Sequence, residues 1–210
     1  MKLFLLLIGM TISFHAHSEL HLLFMGDSLS EGYGVSIENA YPSLIKEELA
    51  NESLGFKVKV TNGSVSGSTS ANAPSRLKWF IKSKPDILVL ALGANDGLRG
   101  IDIDSSSDNL ASTIAMAKKN NIRIVLTGML IPPNYGEEYR EKFASMYKKL
   151  KVKYDLDFIP FLLDGVAGEK KYNQADGIHP NVEGHKVLAK NVMKVLKPIL
   201  IEENKKKNKD

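Results

Sequence analysis

The run Ile87-Leu88-Val89-Leu90-Ala91-Leu92 is apolar at every position and then breaks off at Gly93-Ala94-Asn95-Asp96-Gly97. A strand with one wet face alternates apolar and polar residues. A strand apolar on both faces must be covered on both, as in a parallel sheet lying between two layers of helices. Outward from this run, strand-like segments recur at 21–25, 57–61, 122–127 and 158–161, separated by segments with helical spacing at 41–54, 75–82, 107–119 and 138–151, and a last helix is predicted over about 182–200. The order is β-α-β-α, which predicts a three-layer α/β sandwich in a single domain of ordinary soluble composition.

In such a fold ligands sit at the carboxyl ends of the strands, so the residues after each strand are where chemistry is expected. The first strand stops at Gly26-Asp27-Ser28, the second at Asn62-Gly63-Ser64-Val65-Ser66-Gly67-Ser68, the third at Gly93 to Gly97 and the fourth at Ile131-Pro132-Pro133-Asn134-Tyr135-Gly136. The last is followed by a loop with Asp176-Gly177-Ile178-His179-Pro180. A serine hydroxyl becomes a nucleophile when a histidine takes its proton, and the histidine works best when a carboxylate fixes its tautomer. Asp176 and His179, three residues apart in one turn-rich loop, have that relation, and Ser28 stands at a strand-to-helix junction where its own N–H can face an oxyanion.

Each element also has a plainer reading. Gly-Asp-Ser after a strand is by itself more often a turn with a helix cap, and the fifth residue of the segment, Ser30, rules out the Gly-x-Ser-x-Gly nucleophile elbow. Asn62-Gly63 could close a hairpin. Gly67 could bring a backbone N–H close to a ligand. Asn95 and Asp96 could satisfy backbone groups in a turn, or the Asn95 amide could face a developing oxyanion. Of the five histidines, His15 and His17 precede the first strand, His21 opens it and His185 falls inside the last helical pattern; only His179 has an acid in its own loop. With no cysteine and no histidine pair at helical metal spacing, no metal site is expected. Basic and aromatic residues are scattered, which argues against nucleic acid.

Taken together and in order, Gly26 to Ser30, Gly67, Gly93 to Asp96 and Asp176 to Pro180 resemble the four blocks of the SGNH, or GDSL, hydrolases. Residues 95–100 and 133–136 resemble the bacterial periplasmic branch that contains multifunctional acyl-CoA thioesterase I (lysophospholipase L1) and arylesterases. The resemblance implies a flavodoxin-like α/β/α sandwich with a five-stranded parallel sheet. It implies Ser28 as nucleophile, His179 as general base and acid, Asp176 as its partner, and an oxyanion hole from the Ser28 and Gly67 N–H groups and the Asn95 side chain. It further implies a loop at 131–137, with Pro133, Asn134 and Tyr135, that closes on the acyl chain. Ser68 departs from an aspartate frequent in the family, and Ala94 from a glycine of the thioesterase branch.

The ends of the chain carry their own signals. Lys2 precedes the apolar run Leu3 to Met10, and Ala16-His17-Ser18 is a small-x-small sequence, so a signal peptide over 1–18 is expected, cleaved after Ser18 and too short for a permanent membrane anchor. The hydrolase domain is expected over 19–201, and residues 202–210, with Lys205, Lys206, Lys207 and Lys209, read as a disordered basic tail. The expected protein is an exported, monomeric serine esterase without cofactor, acting on small acyl or aryl esters, thioesters or lysophospholipids; acyl-CoA, a cytosolic pool, suits an exported enzyme poorly. A carbohydrate O-acetylesterase and a binding module on the same fold are the alternatives.

Overall fold

The computed structural model describes residues 19–209, so the expected leader lies outside the described residues. Five parallel strands, β1 (Leu20–Gly26), β2 (Val58–Asn62), β3 (Ile87–Ala91), β4 (Arg123–Thr127) and β5 (Asp157–Ile159), form one sheet in the order β2-β1-β3-β4-β5. Every residue of β1 and β3 is buried, as their unbroken apolar character requires. Because β2 pairs in parallel with β1, Asn62-Gly63 is not a hairpin turn. Gly63 instead donates to the Phe24 carbonyl at 2.8 Å, and a Cβ there would collide with the Phe80 ring.

Among the described residues seven α-helices accompany the sheet: α1 (Ser28–Glu31), α2 (Tyr41–Asn51), α3 (Ala73–Phe80), α4 (Ala94–Leu98), α5 (Ile103–Lys119), α6 (Glu137–Tyr154) and α7 (Val182–Lys207). Helices α2 and α7 pack on one another over one face, while α5 lies between α3 and α6 on the other. The strand order reverses between β1 and β3, since β2 lies to one side of β1 and β3 to β5 to the other. That crevice is where ligands of doubly wound sheets bind, and the segments that enter it are those after β1 and β3.

Two differences from the sequence expectation have identifiable causes, one local and one long-range. Helix α5 starts a turn early, at Ile103 instead of Ser107, because the Asp102 carboxylate caps it by accepting from the Ser105 N–H at 2.8 Å. Residues 202–207 are helical and anchored where a disordered tail was expected. Leu196, Ile199 and Leu200 bury the inner face of α7. Beyond them the Arg123 guanidinium at the start of β4 pairs with Glu202 (2.9 Å) and Glu203 (3.4 Å), and Lys207 Nζ reaches both Asp86 oxygens (2.7 and 2.8 Å) and the Glu19 carbonyl (3.0 Å). Glu202, Glu203 and Lys207 thus meet fixed partners along the amino-terminal edge of the sheet, opposite the crevice.

Candidate active site

At the carboxyl end of β1, Asp27 caps α1 by accepting from the Leu29 N–H at 3.1 Å, which makes Ser28 the first helical residue. Helix α1 lasts one turn and ends at Gly32, whose φ of +93° is left-handed. Ser28 Oγ lies 3.0 Å from His179 Nε2, and His179 Nδ1 lies 2.7 Å from Asp176 Oδ2. The second Asp176 oxygen accepts from the Ile178 and His179 N–H groups, both at 3.0 Å. These bonds, led by the His179 N–H, hold the Asp176 carboxyl down to about 2, so it is an ionised acceptor at any neutral pH. Nδ1 must therefore carry the proton in this contact, which leaves Nε2 free to accept from the serine hydroxyl. The residues the sequence paired, Ser28, His179 and Asp176, form one hydrogen-bonded chain.

The loop that carries His179 is fixed by its neighbours. Gln174 donates from its N–H to the His179 carbonyl (2.8 Å) and from its side-chain amide to the carbonyls of Pro180 (2.9 Å) and Tyr33 (2.7 Å), joining the histidine loop to the segment after α1. The Asn181 side chain then caps α7 through the Gly184 N–H at 3.0 Å.

Across the crevice the loop after β2 is pinned residue by residue. Glu31 accepts from the Ser66 N–H (3.0 Å) and hydroxyl; Arg99 donates to the Gly67 carbonyl (3.1 Å); Arg76 donates to the Ser68 hydroxyl and to the Gly26 carbonyl (3.0 Å); Asp96 accepts from the Ser70 N–H (2.9 Å). Gly67 itself takes φ +74°, a left-handed conformation that a side chain would strain. Among the described residues the Ser28 and Gly67 N–H groups have no protein acceptor. Asn95 Nδ2 donates to the Ser68 carbonyl at 3.1 Å and lies 3.5 Å from Asp27 Oδ2. Buried Asp96 satisfies loop N–H and hydroxyl groups, and the Asn95 amide lies between the Ser68 carbonyl and Asp27, joining the loops after β1, β2 and β3.

Pro133 and Asn134 are exposed in a turn between β4 and α6. Tyr135 is half-buried and donates to the Leu98 carbonyl at 2.8 Å, tying that turn to the end of α4. His21 and His185 are structural. His21 Nδ1 meets the Ser83 carbonyl at 3.0 Å, and the buried His185 accepts from the Tyr41 N–H at 3.3 Å, its burial pushing it down to about 4 and keeping it neutral. Among the described residues no three His, Asp or Glu side chains gather where they could hold a metal ion.

Reading the residues alone did not single out Asp27 as more than a cap, nor Arg76, Tyr33 or Gln174. Asp27 is fully buried next to Ser28, and burial pushes its carboxyl up to about 6. Tyr33 packs its ring on that of His179 with centroids 4.7 Å apart.

Residues 24–187 match the GDSL-like Lipase/Acylhydrolase family. The chain is 38% identical over 180 residues to Esterase TesA of Pseudomonas aeruginosa, covering 85% of this chain and 89% of that one. It is 35% identical over 190 residues to Thioesterase 1/protease 1/lysophospholipase L1 of Escherichia coli K12, covering 90% and 89%. The crystal structure of the psychrotrophic esterase EstA from Pseudoalteromonas sp., inhibited by monoethylphosphonate, superposes with a TM-score of 0.81 at 29% identity, covering 86% of this chain and 98% of that one. With its five-stranded parallel sandwich, its four sequence blocks in order and these likenesses over most of its length, the chain belongs to the GDSL, or SGNH, hydrolase family.

Proposed function

We propose that the protein is an exported serine esterase that cleaves carboxylic ester or thioester bonds through an acyl-enzyme on Ser28. The observation that carries this reading is the unbroken chain Ser28 Oγ to His179 Nε2 (3.0 Å) and His179 Nδ1 to Asp176 Oδ2 (2.7 Å).

As Ser28 Oγ bonds to the carbonyl carbon, its proton passes to Nε2 and the imidazolium is supported by ionised Asp176. The carbonyl oxygen becomes an oxyanion that accepts from the Ser28 and Gly67 N–H groups and from the Asn95 amide, whose second N–H is only loosely engaged at 3.5 Å from Asp27. Collapse breaks the bond to the leaving oxygen or sulfur, which takes the proton from Nε2. Water then attacks the acyl-enzyme while Nε2 takes one of its protons; the acid departs and the proton returns to Oγ. None of these steps calls on a cofactor.

The names of the relatives, an esterase, a thioesterase and lysophospholipase, and an Arylesterase of Vibrio mimicus 37% identical over 176 residues, support acyl and aryl esters, thioesters and lysophospholipids as substrates, and Pro133, Asn134 and Tyr135 would border the acyl chain. The apolar run and small-x-small site within residues 1–18 support export and cleavage after Ser18, leaving a protein that begins at Glu19. Rapid mixing with p-nitrophenyl butyrate tests the mechanism. An initial burst of one nitrophenolate per protein, absent from a folded Ser28→Ala variant, is expected; full turnover by that variant overturns it. Amino-terminal sequencing of the protein recovered from a periplasmic extract tests the processing, and a chain that still begins at Met1 overturns it.

A further inference from the structure

Large apolar side chains left half in water need a reason when they cluster at a reactive group. Tyr33 is 53% exposed and Ile178 45%, and both adjoin His179: Ile178 precedes it in the chain, and the Tyr33 ring lies against the imidazole at 4.7 Å with a 44° tilt. The placement of Tyr33 is built from both ends. Its N–H donates to the Ser28 carbonyl at 3.1 Å, and its carbonyl accepts from Gln174, whose own N–H binds the His179 carbonyl. The flanking Gly32 and Gly34 have φ of +93° and +76°, and a Cβ on Gly34 would strike the Gln174 amide. The backbone of Tyr33 is therefore tied to both Ser28 and the His179 loop, and its ring rests on the imidazole.

The chemistry says what meets that ring. The bond that breaks during acylation ends on an atom that must take its proton from His179 Nε2, so the leaving group departs within hydrogen-bond reach of the imidazole that Tyr33 covers. Resting on the serine-esterase reading above, we propose that Tyr33 is a leaving-group platform that favours esters of aromatic alcohols. A departing aryl ring stacks on the exposed part of the phenol ring while its oxygen is protonated; an alkyl group of similar reactivity has no such partner. Gly67 and Asn95 hold the carbonyl oxygen and belong to every ester, so the platform acts on selectivity for the alcohol and not for the acid.

The test uses two butyrate esters, phenyl and 2,2,2-trifluoroethyl, which yield the same butyryl-enzyme and so differ only in acylation. Tyr33→Leu is expected to lower the phenyl-to-trifluoroethyl ratio of kcat/KM about tenfold, and Tyr33→Phe, which keeps the ring, to restore it. An unchanged ratio in Tyr33→Leu overturns the platform, whether both esters slow together or neither does, because a ring that only props the imidazole acts on both alike. Independent of any variant, phenol should inhibit the wild-type protein more strongly than cyclohexanol, and equal inhibition also overturns the platform. A wild-type protein inert toward both esters overturns the serine-esterase reading itself and the platform with it.

Discussion

Replacing Asp27 by Asn should make the protein more stable at pH 8 and leave it nearly unchanged at pH 4. Asp27 is fully buried, and desolvation pushes its carboxyl from 3.8 up to about 6, against the opposing pull of the Leu29 N–H and of His179. The folded state therefore keeps a proton that the unfolded chain gives up between about pH 4 and 6, and stability falls as pH rises through that window. Two pH units of displacement correspond to about 3 kcal/mol, present in full above pH 6 and absent below about pH 4. An Asn side-chain oxygen can still accept from Leu29, so the cap survives while the buried charge is removed. For a chain of this length the gain at pH 8 amounts to about 6–12 °C in Tm, measured by circular dichroism melts at pH 4, 6 and 8. A gain of equal size at pH 4 and 8, or a loss confined to pH 8, would refute the reasoning. The substitution should also lower turnover about tenfold, since the charge near the Asn95 amide and His179 is lost, an exchange of stability for activity common at functional sites.

Other consequences follow from the same contacts. Asn95→Ala should reduce kcat on p-nitrophenyl butyrate about 10²- to 10³-fold with the fold intact, and a loss under threefold would exclude the amide from the oxyanion hole. His185, neutral in the core and pushed from 6.5 down to about 4, penalises the folded state as pH falls through that range. The buried charge of Asp27 is relieved over nearly the same range, so the two effects oppose in the wild-type protein. His185→Gln should remove the acid-side loss and leave the relief of Asp27 unopposed, seen as a urea midpoint that rises relative to wild type as pH falls from 6.5 to 4, and a profile parallel to wild type would contradict this. Truncation after Ile201 removes Glu202 and Glu203, which pair with Arg123, and Lys207, which pairs with Asp86, at the far edge of the sheet. It should lower stability by about 1–2 kcal/mol, modest because those pairs are partly exposed, while kcat/KM is unchanged; an activity loss in the folded truncation would tie α7's end to the site.

What could be read from the residues depended on how local its cause is. The inner strands β1, β3 and β4 were legible to within two residues because burial on both faces leaves an apolar run, and the Asp176 to His179 pairing because three residues separate its members. Helices α1 and α4 are too short to show periodicity. The tail was misjudged because its anchors, Asp86 and Arg123, lie far away in sequence and become neighbours only when the strands assemble side by side. Arg76 and Gln174 sit as single polar residues in unremarkable surroundings. Only the fold brings Arg76 between the Gly26 carbonyl and the Ser68 hydroxyl, or sets the Gln174 amide between Tyr33 and Pro180. Asp27 lay in the quoted Gly-Asp-Ser block, yet capping explains an aspartate there well enough that its burial left no separate trace.

The central claim is that His179 and Asp176 activate Ser28. Treating the folded protein with a fluorophosphonate and mapping the adduct by peptide mass spectrometry tests it most directly, because the reagent reports an activated serine whatever the substrate. A single adduct on Ser28, forming at least about 10³-fold more slowly in His179→Ala, is the predicted result; an unmodified Ser28 in folded protein, or labelling at Ser28 that is indifferent to His179, would contradict the account.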